Sequence, residues 1–215
     1  MLSACFVLPV EDSIDGIFTT VKQAALIQQA GGGTGFSFDR LRPTGDIVHS
    51  SGGKTSGPLS FMRVLSQGTE AIQQGAFRRG ANMGMMSVHH PDIIKFLCAK
   101  GNPAVLTNFN LSVKVSDDFM RRLQDEPNSP HMVVNPRTRK RYYIPRSVDK
   151  VSYSIDELVR EGQSPQDCLT VHEIWEIIVN KGITVYVDGC RKGQVISSAA
   201  TGLSGPGSSR ELKPR

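Results

Sequence analysis

Ala4-Cys5-Phe6-Val7-Leu8-Pro9-Val10, then Asp12-Ser13-Ile14, then Gly31-Gly32-Gly33-Thr34-Gly35-Phe36-Ser37-Phe38 is the stretch that decides the architecture. Phe6, Val7, Leu8 and Val10 form a near-continuous apolar run, which reads as a short buried strand over residues 4–10. Asp12 or Ser13 can cap a helix. The spacing of Ile14, Ile17, Phe18, Val21, Ala24, Ala25 and Gln28 in threes and fours predicts its inward face. Gly31-Gly32-Gly33 ends the helix, because glycine tolerates the left-handed backbone a helix stop often requires. The chain then resumes an extended path to Phe38. A strand, a helix and a second strand in close succession point to parallel pairing in an α/β fold.

The alternation continues outward. A loop rich in Gly, Ser and Pro covers roughly residues 39–58. Phe61, Val64, Leu65, Ala71 and Ile72 suggest a helix ending near Gln74-Gly75. A second loop, Gly75 to Gly84, carries Arg78 and Arg79, and Met85 to Val88 reads as a short strand. Pro91 suits the first position of a helix through Lys100, where its missing N–H costs nothing. Phe109, Leu111, Val113 and Val115 alternate along a strand. Asp117 and Asp118 favour another helix start. Thr170-x-x-Glu173 is a capping box before Ile174, Trp175, Ile177 and Ile178. Ile183 to Val187 is a strand, closed by the turn signal Asp188-Gly189. The composition after Ile196 predicts disorder over residues 197–215.

The 215 residues suffice for one ordinary domain or two small ones. No apolar run is long enough to span a bilayer, and no signal peptide is read. Cys5, Cys98, Cys168 and Cys190 lie far apart without a Cys-x-x-Cys, so neither a zinc knot nor a disulfide scaffold is expected, and a reducing, cytoplasmic setting is the default. The net charge of +5 is local: residues 121–150 hold eight Lys/Arg against three Asp/Glu, whereas the flanking regions are near balance. Arg137-Thr138-Arg139-Lys140-Arg141-Tyr142-Tyr143 is its densest part. It reads either as a nucleic-acid patch or as a solvated hairpin or loop, and the second is favoured because no recognition motif accompanies it.

The standard phosphate motifs are absent. Gly31-x-Gly33-x-x-Phe36 lacks a third glycine, and Gly53-Lys54-Thr55 lacks the glycine a Walker loop needs at Val48. The triple glycine still permits close backbone approach to a ligand, or serves only as a helix stop. Cys5 alone reads as a small buried residue. His89-His90, as neighbours on a strand, point to opposite faces and are a poor metal pair. Arg78-Arg79 either clamps a phosphate or is simply solvated.

The order of the pieces says more. Leu2-Ser3-Ala4-Cys5-Phe6-Val7-Leu8-Pro9-Val10-Glu11-Asp12-Ser13, Gly31 to Phe38 with Arg40-Leu41-Arg42-Pro43, Ser56-Gly57-Pro58-x-Ser60-Phe61-Met62, Arg78-Arg79-Gly80-Ala81-Asn82-Met83-Gly84 and Leu106-Thr107-Asn108-Phe109-Asn110-x-Ser112-Val113 follow one another in line. Together, over residues 2 to about 181, they resemble the catalytic-barrel start of the adenosylcobalamin-dependent (class II) ribonucleotide reductases. Lys181 to Gly189 resembles the end of the same barrel, where Arg is expected at Val187 and Ser at Cys190.

The resemblance implies a partial ten-stranded α/β barrel: residues 1–181 its first part, 182–196 its C-terminal end, 197–215 a tail. In that family a thiyl radical removes the ribose 3′ hydrogen, and two further cysteines supply electrons as the 2′ hydroxyl leaves as water. Cys5 matches the first of that redox pair. Ala4, Cys5 and Gly33 match substrate positions. Asp12, Ser13, Ile14 and Arg42 match positions near an allosteric deoxynucleoside triphosphate; Asp12 suits a deoxyribose hydroxyl and Arg42 the phosphates. Arg78, Arg79 and Gly80 match the loop linking effector to substrate base. The family's Asn-Pro-Cys-Gly-Glu segment, which carries the radical cysteine, does not occur in the sequence. Cys98, Cys168 and Cys190 have no family match.

The resulting expectation is a ribonucleoside-diphosphate reductase polypeptide, truncated at its start and deleted internally, without turnover on its own. The alternatives are a deoxynucleotide-binding remnant and an inert fragment. The expected partners are a ribonucleotide substrate, a dithiol reductant such as thioredoxin and, in the intact enzyme, a second copy. Neither membrane nor nucleic acid is expected.

Overall fold

The computed structural model describes residues 5–48, 52–72, 80–102, 104–188 and 195–196. The chain alternates as expected: β1 (Cys5–Leu8), α1 (Ile14–Gln29), β2 (Gly33–Ser37), α2 (Pro58–Ile72), β3 (Asn82–Ser87), α3 (Ile93–Cys98), β4 (Phe109–Ser116) and α4 (Asp117–Asp125). There follow β5 (Met132–Val134), β6 (Arg141–Tyr143), α5 (Ile155–Glu161), a 3₁₀ turn (Pro165–Asp167), α6 (Val171–Asn180), β7 (Thr184–Asp188) and β8 (Val195–Ile196). Six strands form one open sheet in the order β1-β2-β3-β4-β7-β8. The first five run parallel, and β8 returns antiparallel to β7. Among the described residues no closed barrel forms, and the open parallel sheet with its helices is consistent with a partial barrel. After α6 the backbone turns at Gly182 (φ +61°), and β7 then lies beside β4 with Ser112 opposite Thr184.

The core lies between the sheet and its helices. Phe36, Phe38 and Phe109 pack as tilted rings with Phe36 6.2 Å from each neighbour. Met62 and Leu65 of α2 belong to the same cluster, and Met62 meets Phe38 and Phe109 around Gly84. Gly84 makes this possible: a Cβ there would lie 3.2 Å from Met62 Cε and 3.3 Å from Phe109 Cδ1. Ile174, Trp175 and Ile178 of α6 belong to the same buried cluster as Val113, Val115 and Val185.

Helix starts follow the capping signals. Ser13 Oγ accepts from Gly16 N–H, and Ser116 Oγ from Phe119 N–H. The Thr170 box closes in both directions: Glu173 N–H donates to Thr170 Oγ1 at 3.2 Å and Thr170 N–H to Glu173 Oε2 at 2.7 Å.

Four expectations need correction. Among the described residues β1 is an edge strand rather than a buried one, and Cys5 and Val7 lie on its uncovered face, Val7 being 86% exposed. The inward stripe of α1 is Ile17, Thr20, Ala24 and Gln28, while Ile14 and Phe18 face outward. The reason is that Thr20 turns inward to donate to the Pro9 carbonyl at 2.7 Å. α3 begins at Ile93, not Pro91, because Pro91 and Asp92 belong to the preceding turn. β3 begins at Asn82, three residues earlier than Met85, because Asn82 carries ladder pairing with both Thr34 and Phe109. α5 went unread; Ser154 and Glu157 mark it, with Glu157 accepting from Ser154 N–H at 2.6 Å. The expectation for residues 197–215 lies outside the described residues.

Candidate functional site

The family-matched residues fall at the two ends of the parallel strands. At the N-terminal end, Cys5 and Gly33 are register partners across β1 and β2. Cys5 is exposed at the sheet edge. Behind Gly33 lies a buried polar network that the sequence reading missed, apart from placing Gln28 on the inner face of α1. Gln28 Nε2 donates to Thr34 Oγ1 (2.9 Å) and Asn82 Oδ1 (2.8 Å). Thr34 Oγ1 donates to Asn82 Oδ1 (2.7 Å), and Asn82 Nδ2 to Thr69 Oγ1 (2.8 Å). The network ties α1, β2, β3 and α2 together, and its members are satisfied, as burial requires. Gly80 sits against it; a Cβ there would lie 2.6 Å from Thr69 Cγ2. The network therefore sets where the chain enters β3 from Gly80. Ala4, Arg78 and Arg79 themselves lie outside the described residues.

At the C-terminal end of β1, the chain turns through Asp12 into α1. Here a cleft of about 540 Å³ is lined by Asp12, Ser13, Ile14, Ile17, Arg42 and Arg137, with Val48, Thr55 and Phe61. All four effector-matched residues are in it. Asp12 and Arg42 are already paired. Asp12 accepts from Arg42 Nε at 2.8 Å (Oδ2) and 3.1 Å (Oδ1), and Oδ1 accepts from Arg42 N–H at 3.2 Å. Arg42 Nη2 also donates to the Asp12 carbonyl at 3.3 Å. The pair fixes the guanidinium plane, and it sits beside the start of α1, whose first N–H groups favour an anion.

The loop after Arg42 is fixed by buried groups. Asp92 accepts from Thr44 N–H (2.8 Å) and Thr44 Oγ1 (3.1 Å), and from Lys95 Nζ at 2.6 Å. Lys95 also donates to the Tyr153 carbonyl at 2.7 Å and lies 4.7 Å over that ring. Burial pushes Lys95 below the ordinary lysine range despite the Asp92 charge. Asp46, further along the loop, accepts from Arg137 (2.8 Å) and Asn135 (3.0 Å). Burial raises the Asp46 carboxyl, and the donors from Arg137, Asn135 and Ile47 N–H outweigh it, so the group is held below its usual value.

The basic stretch is thus a hairpin, β5–β6, paired from Met132–Tyr143 to Val134–Arg141. Thr138 to Arg141 are exposed, as a solvated hairpin implies. Arg137 is the exception, turned inward to Asp46.

The histidines occupy the turn after β3 rather than the strand. His89 contacts the Met132 carbonyl and Ser116 Oγ; His90 contacts the Leu41 carbonyl and accepts from Asp92 N–H. Among the described residues no group of three His, Cys, Asp or Glu is placed to hold a metal ion. Cys168 is buried, its Sγ donating to the Ser164 carbonyl at 3.2 Å, and burial raises its pKa. Cys98 packs half-buried against the core. Cys190 lies outside the described residues.

The family model described as "Ribonucleotide reductase, barrel domain" matches residues 3–185. A relative from Thermoplasma acidophilum, named vitamin B12-dependent ribonucleoside-diphosphate reductase, is 55% identical over 140 residues, covering 65% of this chain and 18% of its own. One of the same name from Mycobacterium tuberculosis is 51% identical over 141 residues, covering 65% of this chain and 20% of its own. A vitamin B12-dependent ribonucleotide reductase from Streptomyces coelicolor is 35% identical over 148 residues, 58% of this chain and 15% of its own. The chain spans about a fifth of the length of these curated relatives. The relatives' names imply a cobalamin, but the described residues do not assemble a site for its radical chemistry. Cys5, Cys98 and Cys168 belong to separate elements, and the sequence has no Asn-Pro-Cys-Gly-Glu segment. With the barrel-domain model matched over residues 3–185, the chain belongs to the ribonucleotide reductase barrel-domain family.

Proposed function

We propose that this chain serves ribonucleotide reduction as the effector-binding part of an adenosylcobalamin-dependent ribonucleoside-diphosphate reductase. The observation that carries this reading is the cleft at the end of β1, which gathers Asp12, Ser13, Ile14 and Arg42 beside the start of α1. In this reading a deoxynucleoside triphosphate sits there, its sugar hydroxyl toward Asp12 and its phosphates toward Arg42. Cys5 and Gly33, at the opposite ends of the strands, serve the ribonucleotide substrate together with the family-matched Ala4. Arg78, Arg79 and Gly80, by their family match, carry effector identity to the substrate base.

In the family reaction two thiols become a disulfide, and their two electrons accompany loss of the 2′ hydroxyl as water. Cys5 supplies one of those thiols, and a dithiol protein such as thioredoxin restores it. The second thiol and the radical-bearing cysteine have no match in this sequence, so the 215-residue chain binds without turning over. A homodimer is the expected form of the intact enzyme.

Two measurements test this. A thermal-shift series with the four deoxynucleoside triphosphates is expected to raise the midpoint with at least one of them, since a ligand that binds only the folded state stabilises it. No shift at millimolar effector refutes the binding role. Incubation of the purified chain with adenosylcobalamin, a ribonucleoside diphosphate and a dithiol is expected to yield no deoxynucleotide; product would refute the division between binding and chemistry.

A further inference from the structure

We propose that the turn of the β5–β6 hairpin is part of the nucleotide cleft, with Arg137 and Arg42 taking the polyphosphate between them. The inference rests on the reading of that cleft as a deoxynucleotide site. It also assigns a role to one residue of the basic stretch that a nucleic-acid patch or a solvated hairpin leaves unexplained.

Both guanidiniums line the same cleft, and each is fixed by its own aspartate. Asp46 Oδ1 accepts from Arg137 Nη2 at 2.8 Å, and Oδ2 accepts from Nε at 3.2 Å. Asp12 holds Arg42 through Nε and through the backbone carbonyl. Among the described residues, neither Arg137 Nη1 nor Arg42 Nη1 donates to a protein group. Each arginine therefore keeps donors for a ligand while its plane stays set, the geometry that suits phosphate oxygens.

The turn is built to hold Arg137 there. Asn135 is 1% exposed. Its Oδ1 accepts from the N–H groups of Arg137 (2.9 Å) and Thr138 (3.2 Å), while its Nδ2 donates to Asp46 at 3.0 Å. One buried amide thus shapes the turn and orients the carboxylate that orients Arg137. The Asp46 hydrogen bond raises the Arg137 pKa, and the Asp46 and Asp12 charges add to it. Arg137, Asp12 and Arg42 line the one cleft. Two carboxylates balance the two guanidiniums, so recognition rests on directed N–H donors rather than on net charge. Arg139 lines a different pocket, with Asp39, His89 and Lys114, and serves as the control.

The test is calorimetric titration of the full chain with the four deoxynucleoside triphosphates, their deoxynucleosides and inorganic tripolyphosphate. Arg137→Gln is expected to weaken triphosphate and tripolyphosphate binding about tenfold or more, the usual loss for a hydrogen bond to a charged group, and to leave deoxynucleoside binding within about twofold. Arg139→Gln is expected to change none of them. Should Arg137→Gln fail to fold, Arg137→Lys, which keeps the charge and loses the fork, is expected to show the same phosphate-confined loss at smaller size. Triphosphate binding that survives Arg137→Gln unchanged overturns the inference and leaves the cleft reading intact. An equal loss for triphosphate and deoxynucleoside also overturns it, since Arg137 then only supports the fold. No triphosphate binding by the unaltered chain overturns both.

Discussion

Lowering the pH from 7 to 5 should destabilise this protein through His131, and His131→Gln should remove that part of the loss. His131 is 1% exposed. Its Nε2 lies 2.8 Å from the Val88 carbonyl, so it is the N–H-bearing nitrogen, and its Nδ1 is buried without a partner. The ring stacks on His89 at 5.3 Å and meets the Phe119 ring edge-on at 5.4 Å. Burial, reinforced by the charges of His89 and Arg122, lowers its pKa from 6.5 to about 3. A base with a depressed folded pKa is protonated first in the unfolded chain. Its contribution is therefore complete above pH 6.5 and is lost as the pH falls toward 3. At 1.36 kcal/mol per pH unit, the drop to pH 5 costs about 2 kcal/mol. Gln keeps a donor for the Val88 carbonyl and does not titrate. His89 and His90 are also lowered by burial, so the unaltered protein loses more than this in total, and the difference between the two proteins isolates His131. Urea unfolding at pH 7, 6 and 5 reads it directly. Equal pH dependence in the two proteins would refute the assignment of a buried neutral imidazole.

Three further outcomes follow from single contacts. Lys95→Met leaves the Asp92 carboxylate buried without its cation and is expected to cost about 3–5 kcal/mol, lowering the melting temperature by roughly 6–20 °C in calorimetry; a change under about 2 °C contradicts the buried pair. Gly57→Ala places a Cβ against Thr44 and Asp92 at a backbone φ of +81°, so it should destabilise by at least about 2 kcal/mol in urea unfolding and weaken nucleotide binding through the displaced loop. Thr170→Ala opens the capping box of α6 and is expected to cost about 1 kcal/mol by the same measurement, with binding unchanged because α6 is remote from the cleft.

The alternating elements were legible because apolar periodicity and caps are local signals. The Thr170–Glu173 box starts its helix where the sequence places it, Ser13 proves to be the cap of the Asp12 or Ser13 choice, and α4 begins at the Asp117-Asp118 pair. The burial of β1 was not legible, because an apolar strand reads alike in the middle of a sheet and at its edge, and only the strand order distinguishes them. Ile14 and Phe18 misled for a related reason: the helix turns its Thr20 hydroxyl inward to the Pro9 carbonyl, and that long-range bond rotates the stripe. In the site, Asp12, Ser13, Ile14 and Arg42 were found through family resemblance, and the fold brings all four to one cleft. The polar network of Gln28, Thr34, Thr69 and Asn82 joins residues up to 54 positions apart, which no local pattern reveals. Arg137 was visible only as charge; its inward turn depends on Asp46, which lies 91 positions away in the sequence.

Calorimetric titration of the 215-residue chain with deoxynucleoside triphosphates, repeated with Arg42→Lys, tests the central claim most directly. The account predicts a single saturable site for at least one of the four, weakened about tenfold or more when the Asp12-held guanidinium is replaced by a point charge. No heat at millimolar nucleotide, or equal affinity in the two proteins, would contradict the cleft at the end of β1 as the nucleotide site.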